Sequence, residues 1–185
     1  QTAIDFCLRS LAVDQDEKSI AIILSGTGSH GTLGLREVKL AGGMVMAQDP
    51  GTAEYDQMPR SAIGTGLVDY VLAPEDMAEA LVKYTRHPYL RQKPTEASTP
   101  TESEQELTRI VALLRARTKY DFACYRKNML MRRVQRRMGL SHVESPSEYL
   151  ARLRDDPDEV SALYKDLLIG VTAFFRDPEA FQVIA

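Results

Sequence analysis

A segment rich in proline, serine, threonine and glutamate, residues 87–106, divides the chain into two parts with different hydrophobic patterns. Three prolines recur there among few apolar side chains, which argues against a packed element. The 185 residues suffice for one large domain or two small ones. We therefore predict one unit over residues 1–88, a linker over residues 89–102 and a second unit over residues 103–185.

Before this segment, short apolar runs alternate with helical patterns. Residues 20–24, 43–47 and 67–72 have the pattern of buried strands, whereas residues 33–40 and 74–86 have helical periodicity. Strands separated by helices predict an α/β fold with a parallel, Rossmann-like sheet. Because parallel sheets are buried on both faces, three strands make only a partial sheet, and we expect this half to belong to a larger domain.

After the segment, all the signals are helical. Ser145 and Asp156 each precede a proline and, two residues further on, a glutamate, which is the pattern of a capped helix start. Ser103 is expected to begin another helix, and Gly139 to end one over residues 127–138. The second half is therefore predicted to be a small all-α helical bundle.

The net charge of −3 conceals a difference between the halves. Residues 1–90 carry 12 acidic and 7 basic side chains, whereas ten bases and a single acid lie within residues 109–137. No apolar run approaches the ~20 residues of a membrane helix, and no secretory signal begins the chain. Cys7 and Cys124 have neither disulfide-framework nor metal-ligand spacing. We expect a cytoplasmic protein with reduced thiols, no bound metal and no membrane insertion.

A glycine-rich loop follows the first predicted strand and leads directly into a helix. Its spacing, Gly26-x-Gly28-x-x-Gly31, together with Asp49 after the next strand, is typical of dinucleotide-binding folds, in which the acid binds a ribose. The same glycines also fit a tight strand-to-helix turn with positive φ angles. A fragment of an NAD-dependent oxidoreductase is therefore one hypothesis, and a structural turn is another.

Motifs beyond this loop favour a third interpretation. With the loop, "MPRSAI" at residues 58–63 and "GLVDYVL" at residues 66–72 give this half a resemblance to the C-terminal part of the CheB family. These proteins are chemotaxis-receptor methylesterases, serine hydrolases with an α/β fold. The resemblance implies a Ser-His-Asp triad whose aspartate lies two residues after the second loop glycine, where this chain has His30. Thr27 stands where the family usually has methionine.

His30 changes what such a site can do. A triad carboxylate orients the catalytic imidazole and stabilises the imidazolium formed during acyl transfer, whereas a neutral imidazole carries no negative charge. The family's serine and histidine lie upstream of the first strand and have no counterpart here. Ser29 lacks the oriented base that a nucleophile requires. We therefore interpret His30 as a solvent-exposed loop residue in a catalytically inactive site.

The helix predicted over residues 127–138 combines an apolar stripe, expected in the core, with an arginine face. No acid lies four residues from its arginines, so they repel one another. We expect the charged ends of Arg133, Arg136 and Arg137 to reach solvent, so that replacing them leaves stability nearly unchanged. Nucleic acid is a poor fit because the face has no aromatic residues for stacking and the pI is about 5.7. A glutamate-bearing protein helix is the other candidate partner.

Residues 104–185 are similar to the start of the CheR family, the chemotaxis-receptor methyltransferases, in this basic helix and in "IGVTAFFRDPEAF" at residues 169–181. The resemblance implies a helical domain whose basic helix meets the receptor. It also implies S-adenosylmethionine bound against the segment that follows. Thr172 and Arg176 match the family's threonine and arginine, which assigns them to the cofactor. Receptor binding is assigned to Arg133, Arg136 and Arg137.

The two resemblances, in this order, predict the junction of a bifunctional protein that adds and removes methyl groups on the glutamates of chemoreceptor cytoplasmic domains. The complete methyltransferase would use S-adenosylmethionine, whereas this chain alone is expected to be catalytically incomplete. A non-catalytic scaffold with a receptor-binding module is an alternative. The oxidoreductase fragment is a third.

Overall fold

Three parallel strands form the sheet of the first half. The computed structural model describes residues 2–91 and 100–169. Strands β1 (Ile20–Ile23), β2 (Met44–Gln48) and β3 (Tyr70–Leu72) lie side by side in that order. Ile22 pairs with Met46, and Ala47 pairs with Val71. The predicted parallel α/β sheet is thus confirmed.

Four helices surround this sheet: α1 (Ala3–Gln15), α2 (Thr32–Ala41), α3 (Gln57–Gly64) and α4 (Pro74–Arg86). Helices α2 and α3 connect successive strands, and α1 packs against α2. The core on one sheet face includes Ala21 and Val45 of the strands and Leu35 and Val38 of α2. Apolar surface remains open elsewhere, because Phe6, Val13 and Leu24 are 67%, 78% and 49% exposed.

The second half is a helical bundle of α6 (Pro100–Thr118), α7 (Lys127–Leu140), α8 (Pro146–Asp155) and α9 (Pro157–Leu168), preceded by the short α5 (Pro88–Arg91). Side chains from α6 to α9 form a single core around Leu114, Phe122, Leu153 and Leu163. The caps predicted at Ser145 and Asp156 are confirmed, since each side chain accepts backbone N–H bonds from the first turn of its helix. None of the helices in the described residues combines the length and apolarity that a membrane crossing requires.

Two predicted helix boundaries are wrong. Helix α6 begins at Pro100, three residues before Ser103, and proline suits a first turn because its missing N–H has no partner to lose. Helix α7 continues through Gly139 to Leu140. A Cβ on Gly139 would lie 3.5 Å from the Tyr84 ring and 3.4 Å from His87. These are ordinary van der Waals distances, so Gly139 packs against the α/β half from within the helix and does not cap it.

The two halves are in direct contact. Leu140 of α7 joins Met44, Met46 and Tyr84 in a core on the second face of the sheet. Nε2 of His87 is 2.8 Å from the carbonyl oxygen of Val143. The predicted boundaries at residues 88 and 103 stay predictions, but the helical half packs on the α/β half.

Candidate functional site

The glycine-rich loop is a tight turn between β1 and α2, at the edge where the carboxyl ends of the strands meet. Gly28 and Gly31 have φ angles of 82° and 92°, which other residues rarely adopt. A Cβ on Gly26 would lie 2.5 Å from Sδ of Met58 in α3. The backbone conformation or the packing of the turn thus accounts for each glycine of the motif.

Backbone N–H groups of this loop are bound by neighbouring protein atoms. The N–H of Gly26 donates to the carbonyl of Tyr55 at 2.8 Å. The N–H of Gly28 donates to Oε1 of Gln57 at 3.0 Å. A pyrophosphate would need such groups free, so the loop is not arranged as a phosphate cradle.

The N-terminus of α2, where a dinucleotide phosphate would bind, is occupied by the carboxylate of Asp5. Its Oδ1 accepts from the N–H of Gly34 at 3.1 Å, and its Oδ2 accepts from the hydroxyl of Thr2 at 2.5 Å. Burial alone would raise the pKa of Asp5, but these hydrogen bonds hold it below its ordinary value. Asp49, the predicted ribose ligand, accepts from the N–H of Gly51 at 2.8 Å. These contacts disfavour the dinucleotide hypothesis.

His30 is exposed, as expected. Its imidazole forms no hydrogen bond within residues 2–91 and 100–169, and its Nε2 would lie 3.4 Å from a Cβ on Gly28. The neighbouring Ser29 is also exposed, and its carbonyl accepts from the hydroxyl of Thr32 at 3.1 Å. The assignment of His30 to the triad position stays a prediction.

The arginine face of α7 meets the C-terminal end of α2. The guanidinium groups of Arg132, Arg133 and Arg136 donate hydrogen bonds to the carbonyl oxygens of residues 39–43, at distances between 2.7 and 3.1 Å. The last carbonyls of a helix lack intrahelical donors and carry the negative end of its dipole. The helical half therefore caps a helix of the α/β half with three positive charges.

Arg136 also belongs to a buried cluster of four charges, in which it and Lys39 contact Asp69 and Asp166. Each side chain is at most 5% exposed. Arg136 lies 2.6 Å from Asp69, and Lys39 lies 3.4 Å from Asp166. Burial would raise the pKa of Asp166, but Arg136 and Lys39 lower it to about 2. Burial, followed by repulsion from Arg136, lowers the pKa of Lys39. The formal charge of the cluster is zero.

Arg137 is held within the helical half. Its Nε and one terminal nitrogen donate to the two carboxylate oxygens of Glu159 at 2.9 and 2.6 Å. The hydroxyl of Tyr149 donates to the same carboxylate at 2.7 Å, and burial raises the pKa of this tyrosine well above its ordinary value. The ion pair of Arg137 and Glu159 joins α7 to α9.

The expectation that the charged ends of Arg133, Arg136 and Arg137 reach solvent is wrong. The side chain of Arg136 is 0% exposed, that of Arg137 is 13% exposed, and Arg133 is half-buried against α2. The reason is electrostatic, because helix-end carbonyls and buried carboxylates neutralise the repulsion along α7. The related expectation, that replacing these arginines leaves stability nearly unchanged, therefore no longer follows.

The sequence interpretation missed Lys39, Asp69 and Asp166. One signal was present: Asp166 lies on the apolar stripe of α9, between Leu163 and Leu167, and an acid in such a position is rarely buried without a partner. The unpaired arginines predicted an anionic partner, and the structure supplies one within the chain.

A basic groove of about 710 Å³ lies where the first turns of α7 meet the end of α2. Four cations and no acid line it, and the full lining is Leu40, Arg126, Lys127, Asn128, Met129, Arg132 and Arg133. The first turn of α7 has no acidic residue and no side-chain cap. Cations beside a helix N-terminus are unfavourable to the helix and favourable to a bound anion.

Tyr70 gives the contact between the halves a pH dependence. Its hydroxyl donates to the carbonyl of Leu140, and burial, followed by repulsion from Asp69, raises its pKa to about 12. Because the folded state holds this proton more tightly, the contribution is complete below pH 10 and is lost as pH rises towards 12. We expect the free energy of unfolding to fall by ~1–2 kcal/mol over that range, after allowance for solvent screening. Urea titrations of Tyr70→Phe over the same pH range should give a smaller fall in the free energy of unfolding. An equal fall in the native chain and the variant would contradict the assignment of this pH dependence to Tyr70.

Thr172 and Arg176 lie outside the described residues, so the binding of S-adenosylmethionine by them stays a prediction. Within the described part of the chain, no three histidine, cysteine or acidic side chains are grouped as a metal site would require.

Two family models match the chain in sequence. The model described as CheB methylesterase matches residues 1–81. The model described as CheR methyltransferase, all-alpha domain, matches residues 105–168.

The chain is also similar to individual proteins. A Rhodobacter capsulatus protein named "Uncharacterized 104.1 kDa protein in hypE 3'region" is 37% identical over 203 residues, which cover 98% of this chain and 21% of that protein. A Rhizobium meliloti protein-glutamate methylesterase/protein-glutamine glutaminase is 46% identical over 69 residues, 37% of this chain and 20% of its own length. The chain thus spans about a fifth of each. The crystal structure of the Thermotoga maritima CheB methylesterase catalytic domain is 42% identical, with a TM-score of 0.41 and coverage of 42% of this chain and 41% of that chain. The chain therefore joins part of a CheB-type methylesterase domain to the all-α domain of a CheR-type methyltransferase, in that order.

Proposed function

We propose that this chain is the junction of a cytoplasmic protein that modifies glutamates of chemoreceptors. The α/β half serves as a catalytically inactive scaffold, because His30 stands at the triad acid position. The helical half docks on the receptor, and the complete methyltransferase takes its methyl group from S-adenosylmethionine. The Rhodobacter relative, which is similar across both halves, supports one protein carrying both modules.

The basic groove at the start of α7 is the observation that carries this proposal. Arg126 and Lys127 are exposed there, and the only ion pair of Lys127 in the described residues is a surface contact of 3.6 Å with Glu104. Such a contact contributes little and is readily exchanged. Carboxylates on an acidic receptor helix would meet four cations at the N-terminus of α7.

The structure changes which arginines are proposed to touch the receptor. Arg133 remains in the set because it lines the groove. Arg136 and Arg137 are engaged with buried acids, so their proposed role becomes the positioning of α7. Arg126, Lys127 and Arg132 join Arg133 as the docking set.

Reversing two charges of the groove, in Arg126→Glu/Lys127→Glu, should weaken retention on glutamate-bearing receptor helices at least ~10-fold at low salt, because long-range attraction becomes repulsion. The matched control is Arg109→Glu/Lys165→Glu, which makes the same charge change at exposed positions of α6 and α9. Circular dichroism should show unchanged helicity in both variants. Equal weakening by the control would mean that net charge, and not the groove, governs binding.

The alternative function, a non-catalytic scaffold and receptor-binding module without methyl transfer, is favoured by one observation. The arginine side of α7 is fixed on the α/β half, which shows a structural use of this helix. A longer chain that includes the cofactor domain would test this alternative. Receptor binding without methyl transfer by that chain would favour the non-catalytic function.

A further inference from the structure

The side of α7 that meets the α/β half and the side that lines the basic groove share two arginines. Arg132 contacts Glu17 and the carbonyl of Ala41, and Arg133 donates to the carbonyls of Lys39 and Leu40. Both also line the groove. A carboxylate entering the groove would therefore compete with the end of α2 for the same guanidinium groups.

We propose that the α/β half is an intramolecular competitor for α7, so that an acidic partner binds fully only when the two halves separate at this contact. The C-terminal carbonyls of α2, with Glu17, act in place of the carboxylates of a partner helix. This inference rests on the docking function proposed above.

The buried charge cluster is arranged so that separation leaves no unpaired charge in either half. Lys39 and Asp69 both belong to the α/β half, whereas Arg136 and Asp166 both belong to the helical half. Separation breaks the contacts of Arg136 with Asp69 and of Lys39 with Asp166. Each half nevertheless retains a cation paired with a carboxylate, so neither is left with an uncompensated buried charge.

The remaining contacts between the halves include the apolar packing of Leu140 on Met44, Met46 and Tyr84, and two hydrogen bonds. The hydroxyl of Tyr70 donates to Leu140, and Nε2 of His87 lies 2.8 Å from the carbonyl of Val143. Both carbonyls would gain water on separation. Separation would also expose this apolar surface, so the packed arrangement predominates without a partner, and the binding of the partner must supply the difference in free energy.

The two cysteines of the chain provide the readout. Cys7 lies on α1 and Cys124 lies in the helical half, and both are free and exposed. Spin labels on both thiols report the separation of the halves by electron–electron dipolar spectroscopy. The probe is a synthetic helical peptide with glutamate at every fourth position.

The test variant is Glu17→Gln/Tyr70→Phe, which removes two contacts from the α/β side and leaves α7, the groove and the buried cluster intact. We expect it to bind the peptide roughly 5- to 10-fold more tightly than the native chain, since each lost contact lowers the population of the packed state. It should also show a longer and broader distance distribution without peptide. The control, Glu79→Gln/Tyr120→Phe, makes the same chemical changes away from the contact and should match the native chain.

Peptide binding with an unchanged distance between the labels would overturn this inference while leaving the docking function standing. Absence of binding to both the native chain and the test variant would overturn both. Tighter binding by the control as well would show that the gain comes from charge alone and would overturn the competition.

Discussion

Replacing Arg136 with methionine is expected to lower the free energy of unfolding by about 3–5 kcal/mol, which is the usual cost of removing one partner from a buried ion pair. The substitution leaves Asp69 and Asp166 to share one cation, Lys39, at positions that solvent does not reach. It also removes the donors to the carbonyls of Gly42 and Gly43. Urea denaturation at neutral pH measures the loss.

A second substitution should recover much of this loss. In Arg136→Met/Asp166→Leu, Lys39 and Asp69 remain as a neutral pair, and leucine replaces an acid on the apolar stripe of α9. We expect a residual cost of ~1–3 kcal/mol from the carbonyls that lose their donors. Arg132→Met is the exposed control and should cost at most ~1 kcal/mol. If the double variant is less stable than Arg136→Met, the loss does not come from unbalanced buried charge.

The order along the chain and the parallel arrangement of the strands were predictable because the sequence patterns of strands and helices are local. Apolar runs between turn residues and helical patterns predicted three parallel strands, and helix α4 has the predicted bounds, Pro74–Arg86. Helices α1 and α3 were not predicted. Helix α1 has a weak apolar pattern because its buried side includes Asp5, while Phe6 and Val13 lie on its exposed side.

The packing of the two halves was not predictable from local patterns. The arginines of α7 bind carbonyls that lie more than 90 residues earlier in the chain. A backbone carbonyl leaves no mark in the side-chain sequence, so the helix end that the arginines cap could not be identified. Gly139 was misread because a glycine inside a helix has the same sequence signal as a glycine that ends one.

The glycine-rich loop gives the largest expected effect of a single substitution. In a chain that also carries the upstream serine and histidine of the triad, His30→Asp is expected to raise methanol release from methylated receptor by about 10³- to 10⁴-fold. The restored carboxylate would hold the catalytic imidazole in one tautomer and stabilise the imidazolium formed during acyl transfer. Because the His30 side chain is exposed and the loop is anchored through Gly26 and Gly28, the turn itself should not change.

The neighbouring position supplies the matched control for this substitution. Ser29→Asp places the same carboxylate one residue earlier on the same exposed loop, away from the predicted triad position. Catalysis depends on hydrogen-bond geometry at the imidazole, so this variant should remain within a few fold of the native chain. Neither variant should release methanol in the 185-residue chain alone, which lacks the upstream serine and histidine. Equal turnover with histidine and aspartate at position 30 would show that the triad acid lies elsewhere. Equal gains from both variants would show that added negative charge, and not triad geometry, raises the rate.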